Sequence, residues 1–287
     1  MGEPQPNIVH EGILWPTHVH SEESLRYARE EFQVRGDDVF IVTYPKSGTT
    51  WMQEIVPLIY SNGDLTPVLT IQSWQRVPWL EHKYSKMLLE NRPSPRLITT
   101  HLPYHLMPKS FDTSKAKVIY VARNPKDVLV SFFHYHNMAT FLENPGTFEE
   151  FFHRFLEGKV MFGCWFDHVK SWWPLKDQDN FLFLTYEETL QDMRGVLVKL
   201  GEFLGKQLSD NAIEAIVNQS KFNNMKHNKM SNYSFVPKEL MDQTKSNFLR
   251  KGIAGDWKNH FTTAQTEYFN SLFAERTKGL NFTFCND

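Results

Sequence analysis

Cysteine is scarce: the 287-residue chain holds two, Cys164 and Cys285, with no CxxC and no Cys/His spacing of a metal site. A disulfide-stapled fold and a thiolate metal centre are both disfavoured, and a reducing compartment is expected. An excess of one charge is missing as well, since 31 Lys and Arg face 33 Asp and Glu for a formal net charge of -2. So balanced a chain offers no global field to nucleic acid or an anionic membrane, and any anion site must be local. No apolar run is long enough to cross a bilayer. The start, Met1-Gly2-Glu3-Pro4-Gln5-Pro6, has no apolar segment of a secretion signal. Gly2 has the place of a myristoylated glycine, but Pro6 stands where Ser or Thr is needed. Without secretion, the sequons at Asn218, Asn232 and Asn281 read as chance matches. A soluble, cytoplasmic protein is expected, with neither nucleic acid nor membrane as partner. Repeats, low-complexity tracts and linkers are also absent, which predicts one domain over 1–287, with an irregular arm over 1–20.

Aromatic residues are abundant, with 23 Phe, 10 Tyr and 8 Trp. They suit a deep apolar pocket, or simply a large core. The chain is organised around Tyr44-Pro45-Lys46-Ser47-Gly48-Thr49-Thr50-Trp51. Ahead of it, Asp38 to Thr43 is short, apolar and rich in β-formers, the pattern of a buried strand. Behind it, Met52, Ile55, Val56, Leu58 and Ile59 recur at helical spacing, with Pro57 inside the run. Strand, tight loop and helix converge backbone N–H groups and a positive helix end on one point, which suits an anion. Lys46 adds a full charge, and Ser47, Thr49 and Thr50 add hydroxyls. The loop is not a Walker A sequence, because its Lys precedes its only Gly. The plainer alternative is a βα turn that uses Gly48 for a positive φ.

Further strands are predicted over Arg96–Thr100, Lys117–Ala122 and Phe181–Thr185. Helices are predicted over Ser21–Phe32, from Pro125 to Tyr135, between Thr147 and Gly158, over Val160–Trp173, and from Val196 to a C-cap at Gly205. Trp74 to Glu81 and the segment with Pro93 and Pro95 read as loops. Strands alternating with helices predict an α/β fold with a central parallel sheet flanked by helices. In such sheets ligands bind beyond the carboxyl ends of the strands, which gathers Lys46, His101 and Arg123 along one edge. His101 follows a strand directly and is a candidate base there. Arg123 and Ser131, before and within one helix, suit a phosphate, although Arg123 could instead pair with Asp127. Arg250-Lys251-Gly252 reads either as a compact anion clamp or as a solvated turn.

Three of these segments together resemble the signatures of the cytosolic sulfotransferases, in the right order and over nearly the whole chain. They are Tyr44 to Trp51, Arg123-Asn124-Pro125-Lys126-Asp127 to Ser131, and Arg250-Lys251-Gly252 with Gly255-Asp256-Trp257-Lys258. The resemblance implies one parallel-sheet α/β domain and the donor 3′-phosphoadenosine-5′-phosphosulfate, with adenosine 3′,5′-bisphosphate as product and no metal. It implies that Lys46, Ser47, Gly48, Thr49, Thr50 and Trp51 hold the 5′-phosphosulfate. Arg123, Ser131, Arg250, Lys251 and Gly252 would hold the 3′-phosphate, and Trp51, Tyr186, Ser220 and Phe222 would surround adenine. His101, Lys46 and Ser131 would be catalytic. Lys258, Thr262 and Glu267 match the family's dimerisation motif, with Thr263 where that motif has Val, so a homodimer is a possible partner state. The family's phenol-selective members have Lys two residues before the base, where this chain has Thr99. Trp165 to His168, Asn228 to Tyr233 and Arg250 to Phe261 look most like the hydroxysteroid and alcohol branch. The acceptor implied is therefore a small hydrophobic alcohol, steroid-like or otherwise, with phenols or amines as the alternative. An idle nucleotide-binding module is the remoter one. Trp74, Trp79, Phe133, Met138 and Tyr233 are the candidate acceptor-pocket residues, each equally consistent with core packing.

Overall fold

The computed structural model describes residues 7–281 and 284. Cys285, Gly2, Pro6 and the end of the Asn281 sequon lie outside them. In chain order the strands are β1 (Ile8–His10), β2 (Ile13–Trp15), β3 (Val39–Thr43), β4 (Leu97–Thr100), β5 (Lys117–Ala122) and β6 (Phe181–Thr185). The α-helices are α1 (Glu22–Arg26), α2 (Thr49–Tyr60), α3 (Thr66–Thr70), α4 (Ser73–Arg76), α5 (Ser85–Leu89), α6 (Pro125–Met138), α7 (Phe148–Leu156) and α8 (Trp165–Trp172). After β6 come α9 (Tyr186–Gln191), α10 (Met193–Leu204), α11 (Asp210–Gln219), α12 (Phe222–His227) and α13 (Thr263–Arg276).

The central sheet is parallel, in the order β4-β3-β5-β6. Strand β3 is buried along its whole length because successive side chains enter different cores. Phe40 and Val42 join an aromatic layer with Phe132, Phe151 and Trp172. Val39 and Ile41 join an aliphatic layer with Ile55, Val56, Leu197 and Leu200. Each such fully buried side chain is worth about 1.5–3 kcal/mol relative to exposure, so both faces of the strand are held. The register pairs Val42 with Thr100, Thr43 with Val121 and Ala122 with Thr185. All four strands therefore end at one level, and the chain leaves them at Tyr44, His101, Arg123 and Tyr186.

Elsewhere the sequence pattern misleads. Residues 8–15 form an antiparallel hairpin within the expected irregular arm, and Trp15 is fully buried in the aromatic layer. The helix expected over Ser21–Phe32 is present between those two caps, but only Glu22–Arg26 is α-helical and Tyr27–Glu31 widens into a π-helical turn. Residues 73–76 are a short helix rather than loop, and Trp79 bridges to Thr99 at the edge of β4. The helix expected from Val160 begins at Trp165, because Phe162 and Gly163 take positive φ and Met161 pairs with Leu14.

Charged groups at 0–1 % exposure tie the layers together. Glu54 of α2 pairs with Arg76 of α4, and accepts hydrogen bonds from Ser231 at 2.5 Å, Gln219 at 3.0 Å and Asn228 at 3.2 Å. Asp127 accepts from the backbone N–H groups of Gly255 at 2.6 Å and Trp257 at 2.9 Å. It anchors the C-terminal segment to the first turn of α6, and Arg123 takes other partners.

Candidate active site

The loop after β3 turns twice through the left-handed region, at Lys46 (φ 68°) and Gly48 (φ 101°). Gly48 is the N-cap of α2, and a Cβ there would lie 2.9 Å from Cδ2 of Tyr186. Glycine is thus required by both backbone and neighbour. The Lys46 ammonium sits 4.4 Å and 4.5 Å from the ring centres of Tyr135 and Phe248. Burial, then repulsion from Arg123 and Arg250, lowers its pKa to about 7. The Thr49 hydroxyl is 2.7 Å from that of Thr43 at the end of β3.

A second cationic cluster faces the same space. Arg123 leaves the end of β5, donates to the carbonyls of Lys46 (2.9 Å) and Ile253 (3.1 Å), and lies 4.3 Å over the ring of Tyr186. Asp256 is buried and pairs with Arg250 at 2.7 Å and Lys251 at 2.6 Å. Burial alone would push its carboxyl up, but hydrogen bonds from Lys251, Asn259 and Arg250 hold it well below the usual carboxylate range. Gly252 has positive φ and lies so close to the ring of Phe222 that a side chain would displace it. Trp51 meets Tyr186 edge-on at 5.3 Å and donates from its indole to the Ser220 carbonyl at 2.9 Å. The Ser220 hydroxyl donates to Ile216, which leaves its oxygen able to accept.

His101 is fixed on three sides. Its backbone N–H donates to Glu81, 2.8 Å away, and its carbonyl accepts from Nε2 of His168 at 3.1 Å. Its ring Nδ1 lies 2.6 Å from the carbonyl oxygen of Thr43. A carbonyl can only accept, so the proton is on Nδ1 and Nε2 carries the lone pair. Burial, only partly offset by that bond, lowers the ring's pKa to about 3 and keeps the lone pair free. Trp79 and Phe162 flank the ring at 4.4 Å and 5.1 Å.

These groups line one cavity of about 750 Å³. Lys46, Gly48, Thr49, Thr50, Trp51, His101, Arg123, Ser131, Tyr186, Ser220, Phe222, Arg250, Lys251 and Gly252 are on its wall, and Ser47 is buried directly behind. Of the pocket candidates, Trp74, Trp79 and Tyr233 line it, whereas Phe133 and Met138 do not. Helix α6 presents Ser131 and Tyr135, one turn apart. Phe133 is on another side, packed on Phe148 and Phe151 at 5.3 Å and 5.7 Å. Met138 is buried beneath the segment that bonds back through Asp242, and Leu240 and Met241 form the wall in its place. Sequence reasoning missed Glu81, His168 and Phe162, which hold or flank the site, and it offered Asp127 only as a partner for Arg123, whereas it holds the backbone at Gly255 and Trp257.

The cations and orphaned donors suit a polyanion. Ser47 Oγ, Arg123 Nε and Arg250 Nε are buried without a hydrogen-bond partner among the described residues, and no Asp or Glu is on the cavity wall. Lys258, Thr262, Thr263 and Glu267 are exposed, at and just before α13, with Thr262 as its N-cap. No helix among the described residues is long and apolar enough to cross a membrane.

Residues 36–281 match the family profile described as the sulfotransferase domain. The chain is 51% identical to mouse sulfotransferase 2B1 over 94% of its own length and 80% of that protein's. It is 45% identical to the 3-beta-hydroxysteroid sulfotransferase of Cavia porcellus, over 94% and 93%. Its fold matches the crystal structure of mouse sulfotransferase SULT7A1 complexed with PAP, with a TM-score of 0.80, 32% identity and 96% of each chain covered. With the parallel sheet, the loop after β3 and the cationic cluster in their places, this chain belongs to the sulfotransferase family.

Proposed function

We propose that the protein moves the sulfuryl group of 3′-phosphoadenosine-5′-phosphosulfate to the hydroxyl of a hydrophobic, steroid-like alcohol. The observation that carries this reading is the meeting, in one cavity, of the Lys46 loop and a His101 whose only lone pair is on Nε2. The donor supplies an activated sulfuryl group on a phosphate leaving group. The loop N–H groups, Ser47, Thr49 and Thr50 would hold its 5′ end. Arg123, Ser131, Arg250, Lys251 and Gly252 would hold the 3′-phosphate, and Trp51, Tyr186, Ser220 and Phe222 the adenine. His101 Nε2 takes the acceptor's hydroxyl proton, while Lys46 meets the negative charge that develops on the phosphate side. Ser131, also on the wall, is within the group that keeps the phosphates in line.

An alcohol is favoured over an amine by the wall itself. An amine protonated at neutral pH would meet cations and histidines and no carboxylate. Thr99, the position where phenol-selective relatives carry Lys, is turned into the interior, donating to Val77 and accepting from Gln53. The name of the Cavia porcellus relative points to the same acceptor class. Labelled donor offered with a panel of hydroxysteroids, simple phenols and amines tests the reading: transfer to the hydroxysteroids is expected to be fastest. Absence of transfer to any alcohol, or a preference for amines at pH 7, refutes it. The exposed Lys258, Thr262 and Glu267 would pair two copies, which sedimentation of the wild type against Lys258→Glu tests.

A further inference from the structure

Beyond His101, two other histidines are on the wall of the cavity, His18 and His82. His82 stacks on Trp79 with ring centres 5.0 Å apart and an interplanar angle of 11°, and the same indole meets His101 at 4.4 Å, tilted by 54°. His82 and the base are therefore no farther apart than these two steps together. His18 stacks on Phe141, also on the wall, at 5.1 Å. Behind His82 is His20, fully buried, whose Nδ1 donates to the Pro16 carbonyl at 3.1 Å and whose ring meets His82 edge-on at 4.9 Å.

Neither ring nitrogen of His18 or His82 makes a hydrogen bond among the described residues, whereas His20 and His101 bond through Nδ1 and His168 through both nitrogens; Nε2 of His20, buried behind His82, has no partner among the described residues. No three His, Cys, Asp or Glu side chains among the described residues group to hold a metal ion. We propose that His18 and His82 form a subsite for a second neutral oxygen, hydroxyl or carbonyl, on the acceptor, one to two ring widths from the hydroxyl that is sulfated. The inference rests on the reading of this cavity as the acceptor pocket.

The physical reason is an asymmetry of pairing. A wholly apolar acceptor would strip water from both imidazoles and leave their nitrogens unpaired. An acceptor with an oxygen at that place pairs them. A site built to hydrogen-bond an oxygen rejects the analogue that lacks it far better than a greasy wall distinguishes one methylene. Burial lowers the pKa of both rings, so each is neutral and offers one N–H and one lone pair. That complement fits a hydroxyl or a ketone rather than an anion.

The experiment uses pairs of acceptors on the same carbon skeleton, a mono-alcohol against its hydroxyketone or diol, with the wild type, His82→Phe and His18→Phe. Phenylalanine keeps the ring stacks on Trp79 and Phe141. The wild type is expected to favour the doubly oxygenated member by about ten-fold in kcat/KM, and the variants to reduce that ratio toward one while still using the mono-alcohol. Kd for each pair, by calorimetry, reads the same difference without turnover. Sulfation with a ratio unchanged in both variants overturns the subsite alone. A His-dependent difference in Kd with no sulfation of any acceptor overturns the proposed reaction and leaves the subsite standing. A carboxylate analogue preferred to the hydroxyketone overturns the assignment to a neutral oxygen.

Discussion

Replacing Gly48 by alanine incurs two costs that can be measured separately. The first is in the backbone. At φ 101° an L residue is in the left-handed half of the map, a penalty of about 1–2 kcal/mol. For a large domain each kcal/mol moves Tm by about 2–4 °C, so a fall of about 2–8 °C is expected. The second is in the site. The new Cβ would lie 2.9 Å from Cδ2 of Tyr186, closer than carbon atoms tolerate. The ring has little room to retreat, being held between Trp51 and the Arg123 guanidinium. Displacing it gives up a cation–π contact of about 0.5–2 kcal/mol and tilts the platform assigned to adenine. A loss of affinity for adenosine 3′,5′-bisphosphate of about ten-fold, or about 1.4 kcal/mol, follows. Thermal melts read the first cost and calorimetry the second. In a Tyr186→Ala background, Gly48→Ala should keep the drop in Tm and lose no further affinity. An equal loss of affinity in both backgrounds would refute the reasoning, because the loop backbone and not the ring would then carry the effect.

Four other outcomes are expected. His101→Ala lowers turnover of an alcohol by about a hundred- to ten-thousand-fold and leaves bisphosphate affinity nearly intact, whereas Lys46→Ala damages both; wild-type turnover in His101→Ala removes the base. Arg123→Ala weakens adenosine 3′,5′-bisphosphate by about 1.5–3 kcal/mol and 5′-AMP far less, and equal losses in the two titrations sink the 3′-phosphate assignment. The Lys46 ammonium, lowered to about 7, is mostly neutral at pH 8 and is recharged by a bound anion. Binding at pH 8 therefore takes up a proton and affinity falls as pH rises through 7, and calorimetry in buffers of different protonation enthalpy that detects no uptake contradicts this. Turnover is expected to be unchanged by EDTA, since cationic side chains surround the phosphates, and a requirement for Mg²⁺ would move the reading toward a nucleotide kinase.

The four strands of the central sheet and the loop at Lys46 were legible because short apolar runs, one glycine and one lysine have few other uses in that order, while the hairpin of β1 and β2 was not. Buried carboxylates were not. Glu54 and Glu81 look like solvated charges in the sequence and Asp127 like a partner for Arg123, and only the fold shows that each holds distant backbone or side chains. Glu81 is pushed up to about 7 by burial, held there against the N–H of His101. Periodicity also failed at the start of α8, where Val160 and Met161 continue the apolar pattern. The positive φ of Phe162 and Gly163, set by pairing with the hairpin, breaks the helix there. His18 and His82 carried no local signal, because strand order and loop path bring them to the cavity wall.

The bonds from Asp127 to Gly255 and Trp257, and from Arg123 to Ile253, join residues 128 to 130 positions apart. On a ribosome adding about 5–20 residues per second, the second half of this clamp emerges roughly 6 to 26 s after the first. Within that interval, once β6 has followed, the sheet and the Lys46 loop can be complete while both oxygens of Asp127 are without the chain they will hold. Contacts of such long span are among the slowest to close. The cationic cluster around Arg250 and Lys251 is thus the last part of the cavity wall to be made, and the cavity is closed only when roughly the final eighth of the chain arrives.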